Sequence, residues 1–216
     1  RDVDQYWVHH FPNTGEKSSY RSANQINDNR LLRADGSNLA SVLYRIRLTD
    51  DVRFRRIEDY IRGMVPSFGY FNLMPSGTDE GEIHLQWYPR GREDVLFDER
   101  HLSDGTLRMM SLVTLLLQPV LPELVLIDEP EIGLHPAAMT MIGDLLKKAA
   151  QKTQVIISTQ SIDMVNQFQT EEVLVCDYKD GQSQYRRLDS KELELWEEEY
   201  TIGEMWEKNI FGGQPY

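Results

Sequence analysis

The sequence predicts an α/β fold, with a mainly parallel sheet flanked by helices and an N-terminal helical and antiparallel β portion. Three observations carry this. Leu124 to Pro130 reads Leu-Val-Leu-Ile-Asp-Glu-Pro, an apolar run that stops at two acids. Four successive apolar residues suit a strand buried on both faces of a parallel sheet. Downstream of Ser103, strand-length apolar runs alternate with runs of helical period, the rhythm of a parallel α/β core. Upstream, short strands are punctuated by Gly, Pro and Asp, which reads as antiparallel.

In chain order, Gln5 to Phe11 predicts a strand and the polar Pro12 to Asn29 a loop. Asp35-Gly36-Ser37 reads as a helix start, followed by Leu39, Val42, Leu43 and Ile46 at helical spacing. Asp51 to Val65 predicts a second amphipathic helix, with Val52, Ile57, Tyr60, Ile61 and Met64 on its apolar face and Pro66 as its stop. Phe68 to Met74 and Ile83 to Tyr88 read as strands around the turn-like Pro75 to Gly81, with Val95 to Phe97 as a third. Ser103 to Gln118 predicts a long helix, and Pro136 to Ala150 another with Pro136 in its first turn. Val155 to Ser158 predicts a second buried strand, Ser161 to Phe168 a short helix, and Val173 to Asp177 a third strand. Lys179-Asp180-Gly181 signals a hairpin into Gln184 to Leu188. Ser190 to Glu199 is an acidic helix, and Met205, Trp206, Ile210 and Phe211 anchor the last segment.

The formal net charge of −12 over 216 residues is not the footprint of a chain that coats nucleic acid by charge alone. Arg45, Arg47, Arg53, Arg55, Arg56 and Arg62 lie close together and read as a solvated helix face rather than a nucleic-acid site. The single cysteine, Cys176, excludes an internal disulfide, fits a reducing compartment and reads as a buried strand residue. No apolar segment approaches the roughly 18–20 residues that span a bilayer. Arg1-Asp2-Val3-Asp4 has no signal-peptide pattern, so a soluble cytoplasmic protein with no membrane partner is expected.

Chemistry concentrates in three places. Asp128 and Glu129 close the central strand, where ligands bind in open α/β sheets. Paired acids there suit Mg²⁺–nucleotide chemistry, one organising the metal and the other taking a proton from water; the plainer alternative is a turn ahead of the next helix. Leu102-Ser103-Asp104-Gly105-Thr106 precedes the long helix. Ser103 suits the N-cap and Gly105 permits close backbone approach, which makes either an anion site or an ordinary capped helix. Ser158-Thr159-Gln160-Ser161 ends the next strand.

With these three in this order, the chain resembles ABC-type ATPases. Leu102 to Thr106 resembles their signature motif, Leu124 to Glu129 their Walker B strand, and Glu131-Ile132-Gly133-Leu134-His135-Pro136 their D-loop. Ser158 to Ser161 stands where the switch histidine lies. Glu-Pro-Glu-Ile-Gly-Leu-His-Pro, the Ser-Thr-Gln-Ser ending and Leu-Arg-Ala-Asp-Gly-Ser-Asn-Leu-Ala resemble the RecF, SMC and OLD-like branch, including its predicted AAA-like ATP-binding proteins. The likeness covers roughly residues 29–213. The domains it implies are 1–101, the N-terminal strand, loop, helical and antiparallel part of the head, and 102–216, the signature, Walker B and switch lobe.

The resemblance implies roles. Asp128 holds Mg²⁺ through water, Glu129 is the general base, and Gln160 senses the γ-phosphate of ATP. Ser103, Asp104 and Gly105 contact nucleotide on the opposite subunit of a head–head homodimer. Gly133, Leu134 and His135 sit at the dimer seam, although His135 equally suits a packing role at a helix start beside Pro136. Two residues depart from the pattern. Gln160 replaces the usual histidine and can hydrogen-bond but carries no charge. Asp104 stands where glycine is common, which sets an acid near an incoming triphosphate.

No Gly-x-x-x-x-Gly-Lys-Ser/Thr loop is present; Gly15-Glu16-Lys17-Ser18 lacks the second glycine. In the family that loop lies N-terminal to everything seen here. The expectation is therefore the C-terminal portion of a longer ATPase, whose Mg²⁺ and ATP need a missing N-terminal lobe and which is inactive alone. DNA and a second effector protein are the partners implied, in repair, chromosome maintenance or phage defence. The alternatives are a catalytically inactive regulatory module with the same fold, and a Mg²⁺-dependent nuclease using Asp128, Glu129 and Glu131.

Overall fold

The structure is a computed structural model that describes residues 6–9, 23–76 and 81–213. It comprises two compact units, Arg1–Ser158 and Thr159–Tyr216. Residues 12–22 of the predicted loop, including Gly15 to Ser18, lie outside the described residues, as do residues 5, 10 and 11 of the predicted first strand.

The first unit is built around helix α3 (Asp104–Leu117), which is buried continuously from Leu107 to Leu117. A helix apolar on nearly every face belongs inside a core. Among its buried polar residues, Thr114 is accommodated locally, its hydroxyl donating to the Met110 carbonyl at 2.8 Å. Its C-terminal end takes a hydrogen bond from outside: the Arg53 guanidinium donates to the Leu117 carbonyl at 2.9 Å. A cation there also suits the helix dipole. Helices α1 (Leu39–Thr49), α2 (Asp51–Met64) and α4 (Pro136–Ala150) complete the packing, with α2 and α4 both against α3. In α2 the residues facing inward are Phe54, Ile57, Glu58 and Ile61. Val52 does not join them and is 81% exposed, because it lies on the opposite side of the first turn. The loop before α1 is organised by Asn38, a buried side chain. Its amide donates to the carbonyls of Asp28 (3.0 Å) and Leu31 (2.9 Å) and its oxygen accepts from the Arg33 N–H (2.8 Å). The arginine cluster is mostly exposed, as expected, and Arg55 pairs with Asp51 at 2.7 Å one turn away.

The parallel sheet has the order β1 (Tyr6–His9), β8 (Leu124–Asp128), β9 (Gln154–Ser158). Leu124 pairs with Gln154 and Asp128 with Ser158, so β8 and β9 end in register. The expectation that β8 and β9 are buried on both faces is corrected. Val125 and Ile127 are buried while Leu124, Leu126 and Asp128 are half-buried, and Ile156 is 47% exposed. Among the described residues one face of these strands is covered more fully than the other, so the buried pattern alternates although the sequence does not.

Two antiparallel sheets fill the middle of the chain. One has the order β3 (Phe68–Asn72), β6 (Gln86–Pro89), β7 (Phe97–Asp98). The other joins β2 (Asn24–Gln25), β5 (Glu82–Ile83) and β4 (Pro75–Ser76). Asn24 and Gln25 were expected in a loop and Pro75–Ser76 in a turn. Both form two-residue strands because Glu82–Ile83 offers each an edge to pair with.

In the second unit β10 (Leu174–Lys179) and β11 (Gln182–Arg187) form an antiparallel hairpin. Asp180 and Gly181 both have positive φ, 54° and 80°, as the tight turn between right-twisted strands requires. Among the described residues the third strand therefore belongs to no parallel sheet. Its core is Val175, Leu188, Leu193, Met205 and Phe211, between the hairpin, α6 (Ser190–Glu197) and α7 (Ile202–Glu207). The last segment docks as predicted. Cys176 is exposed, not buried, because alternation turns Val175 inward and its neighbour out. The short helix predicted over Ser161 to Phe168 is only α5 (Ile162–Val165). Among the described residues no helix is long and apolar enough to cross a membrane.

Candidate functional site

Asp128 is the last residue of β8, and its carboxylate accepts a hydrogen bond from the Ser158 hydroxyl at the end of β9. Glu129 follows at once. Its N–H donates to the Ser158 carbonyl at 2.9 Å, extending the ladder one step beyond the strand. Glu129 sits at φ 44°, in the left-handed region that costs a side-chain-bearing residue about 1 kcal/mol. Such strain clusters at functional sites, where a side chain is held in a direction the relaxed backbone does not give it. Pro130 is buried behind it, and Gly133 at φ 77° turns the chain toward α4.

The two other predicted clusters of the first unit meet through their glycines. A methyl group on Gly105 would stand 2.8 Å from the Gly133 carbonyl oxygen and 3.2 Å from its Cα. Only two residues without side chains fit this approach. It brings the start of α3 against the loop that carries Gly133, Leu134 and His135. Ser103 caps α3 as expected: its hydroxyl accepts from the Thr106 N–H at 3.1 Å and lies 2.8 Å from the Thr106 hydroxyl. Asp104 occupies the first turn, where a carboxylate is favoured by the helix dipole. The segment ahead of Ser103 is fastened by Asp98, which accepts from the Arg100 side chain at 2.9 Å and contacts His101 Nδ1 at 2.9 Å. The Arg100 guanidinium holds the Asp98 carboxyl below the usual carboxylate range.

His135 is exposed and caps α4, its Nδ1 accepting from the Ala137 N–H at 3.3 Å, with Pro136 in the first turn. Leu134 is half-buried, and its N–H donates to the Glu131 carbonyl at 2.9 Å. Gln160 is exposed and belongs to the second unit, in the segment ahead of α5. Beside it the Thr159 hydroxyl accepts from the Ser161 N–H at 3.0 Å, and Ser161 caps α5.

Hard cations take oxygen donors, and Mg²⁺ uses one or two protein carboxylates beside water and phosphate oxygens. The Asp128 carboxylate with its Ser158 hydroxyl partner fits that donor set. Among the described residues no group of three or more His, Cys, Asp and Glu forms a metal cage. The Ser158 role is one that sequence reasoning missed. Its signal lay in two strands of equal length ending in a polar residue, which register places side by side. The pairing of Gly105 with Gly133 had no signal of its own.

Comparison with solved structures finds the fold of SMC ATPase heads. One match is from work on ATP-driven dimerization and DNA stimulated activation of SMC ATPases, with 19% identity and a TM-score of 0.51 over 72% of this chain and 96% of that one. A second is the Smc head domain with an extended coiled coil bound to the C-terminal domain of ScpA, from Pyrococcus furiosus. There identity is 18% and the TM-score 0.52, over 76% of this chain and 44% of that one. A third, the SmcHead bound to the C-winged helix domain of ScpA, has 16% identity and a TM-score of 0.54 over 74% and 49%. The chain thus spans less than half the length of two of the three. No curated protein matches. A family model matches residues 8–165, well over half of the chain, so beyond its SMC-head fold the chain belongs to the family described as AAA domain, putative AbiEii toxin, Type IV TA system.

Proposed function

We propose that this chain provides the hydrolytic acids and the signature-like helix start of an ABC-type ATPase whose heads close as a homodimer on ATP. The observation that carries the reading is the end of β8, where Asp128 is held by Ser158 and followed by Glu129 in a strained backbone conformation. Mg²⁺ would neutralise phosphate charge as the bond to the leaving oxygen breaks. Asp128 and Ser158 would orient its water shell. Glu129 would take a proton from the water whose oxygen attacks the γ-phosphorus, and the β,γ-bridging bond would break to release ADP and phosphate. Ser103, Asp104 and Gly105 would meet the triphosphate across the dimer, with Gly133, Leu134 and His135 at the seam. Gln160 would hydrogen-bond the γ-phosphate without adding charge. The functional division would fall near residue 102, with the phosphate-cradling loop supplied by sequence outside this chain. DNA is the macromolecular partner favoured, in repair, chromosome maintenance or phage defence, held through a local contact rather than by bulk charge, since the net charge is −12; a second effector protein and a cytoplasmic setting complete the reading.

The test is ATP turnover by this chain alone and by a protein that joins it to a phosphate-loop lobe. Negligible turnover is expected from the chain alone. In the joined protein Glu129→Gln is expected to slow hydrolysis by about 10²–10³-fold, retain ATP binding and accumulate the dimer. Unchanged turnover in that variant removes Glu129 from its role. Steady-state turnover by the chain alone, abolished by Glu129→Gln, removes the need for another lobe. A regulatory module with the same fold is the second reading, favoured by Gln160 and by the lack of a phosphate-loop motif. It predicts ATP binding without turnover in the joined protein.

A further inference from the structure

We propose that the acidic face of α6 and the groove beside it dock a cationic amphipathic segment of a partner protein. The second unit carries thirteen acidic residues against five basic ones, so most of the chain's net charge of −12 lies in its smaller part. Glu192, Glu194, Glu198 and Glu199 are exposed on or just beyond α6. Between them Leu195 is 82% exposed and Trp196 is 45% exposed. Trp196 borders a cavity of about 310 Å³ whose apolar floor is Leu188, Leu193 and Phe211 and whose rim carries Asp189 and Glu192. Among the described residues one cation lines it, Arg186, whose guanidinium donates to the Phe211 carbonyl and is outnumbered by the acids of the rim. That volume sits at the small end of binding pockets and suits one large apolar side chain.

Charge selects the occupant. Nucleic acid and anionic lipid are repelled by this face. A second copy docking through the same face sets acids against acids. A lysine- or arginine-rich segment that inserts an apolar anchor beside Trp196 satisfies both the groove and the rim. Tryptophan beside a cavity is also the residue type that dominates interface energetics.

The probe is a fluorescein-labelled amphipathic helical peptide of leucine and lysine, titrated with the full 216-residue chain by fluorescence anisotropy. Reversing Glu192, Glu194 and Glu198 to Lys is expected to weaken binding at least about tenfold, and reversing Glu93, Glu123 and Asp144 of the first unit less than about threefold. Trp196→Ala is expected to cost about tenfold even at about 300 mM salt, where exposed charges are screened. Leu195→Ala, at a position too exposed to disturb the core, is expected to cost about threefold and reads the face if Trp196→Ala fails to fold. Equal losses from both triple reversals overturn the proposal, as do no binding below about 1 mM or unchanged affinity in both apolar variants. Concentration-dependent self-association abolished by the α6 reversals also overturns it, in favour of a second copy.

Discussion

The two units use similar elements, helices against a small sheet, yet differ in what holds them. In the first, α3 is buried on all sides and α1, α2 and α4 surround it. Acids and bases are nearly balanced there, twenty-two against eighteen. In the second, every residue of β11 is exposed and five buried side chains form the core. Hydrogen bonds to the last segment supplement it: the Trp206 indole donates to the Gly213 carbonyl at 3.0 Å, and the Gly213 N–H to Asp177 at 2.8 Å. The difference teaches where each kind of function sits. On the two proposals made above, acids that must hold a fixed direction would stand on strand ends backed by a dense core, and a surface for recognition would lie on the thinner unit.

Six substitutions, taken as four tests, sharpen or break this contrast. Ile57 is fully buried, and Ile57→Ala is expected to cost about 4 kcal/mol in chemical denaturation, against about 2 kcal/mol for Leu193→Ala, whose thin surroundings can collapse. Equal costs would mean that the second core is as tightly packed as the first.

Glycines give the next largest contrast. Gly105→Ala drives a methyl into the Gly133 backbone, which cannot step aside, and is expected to cost about 2–3 kcal/mol. At Gly203 a methyl meets the side chains of Ile162 and Asn166, which can shift at a cost of about 1–2 kcal/mol, part of it the hydrogen bond that Asn166 accepts from the Gly203 N–H at 2.8 Å. Thermal unfolding of the two variants checks the order. A mild Gly105→Ala would show that the approach of the two loops is loose.

Smaller still is Glu129→Gly, which relieves the left-handed backbone and is expected to stabilise the chain by about 1 kcal/mol while removing the proposed base. A loss of stability there would mean that the carboxylate is structural.

The smallest effect is a pH slope. Burial pushes the Glu58 carboxyl above its ordinary value, although it accepts from the Phe71 N–H at 2.8 Å. A raised folded pKa contributes stability fully present below the unfolded value near 4.5 and lost as pH rises through the folded value. The stability of the native chain relative to Glu58→Gln should therefore increase on acidification from neutral pH, a trend that urea titrations at several pH values measure. No trend would place Glu58 in water.

Much of the fold was legible because it rests on local signals. Ser103 and Pro136 mark helix starts, Asp180-Gly181 marks a tight turn, and the apolar period of α3 marks a core helix. The end of the Leu124 run also located Asp128 and Glu129. What was not legible depends on partners far along the chain. Nothing in Asn24-Gln25 or Pro75-Ser76 shows that Glu82–Ile83 will pair with both. Val52 has the right residue type for the core and the wrong angle on its helix. Cys176 looked buried by its neighbours' composition, but the hairpin has only one covered face.

Residue chemistry and short-range spacing wrote the elements, their caps and the pair of acids into the chain, since these depend on a few neighbouring dihedrals. Which face of β8 is covered, that Ser158 meets Asp128, and that Gly105 meets Gly133 were decided only in three dimensions. Each joins residues about thirty positions apart, and such contacts follow from strand register and the packing of whole elements.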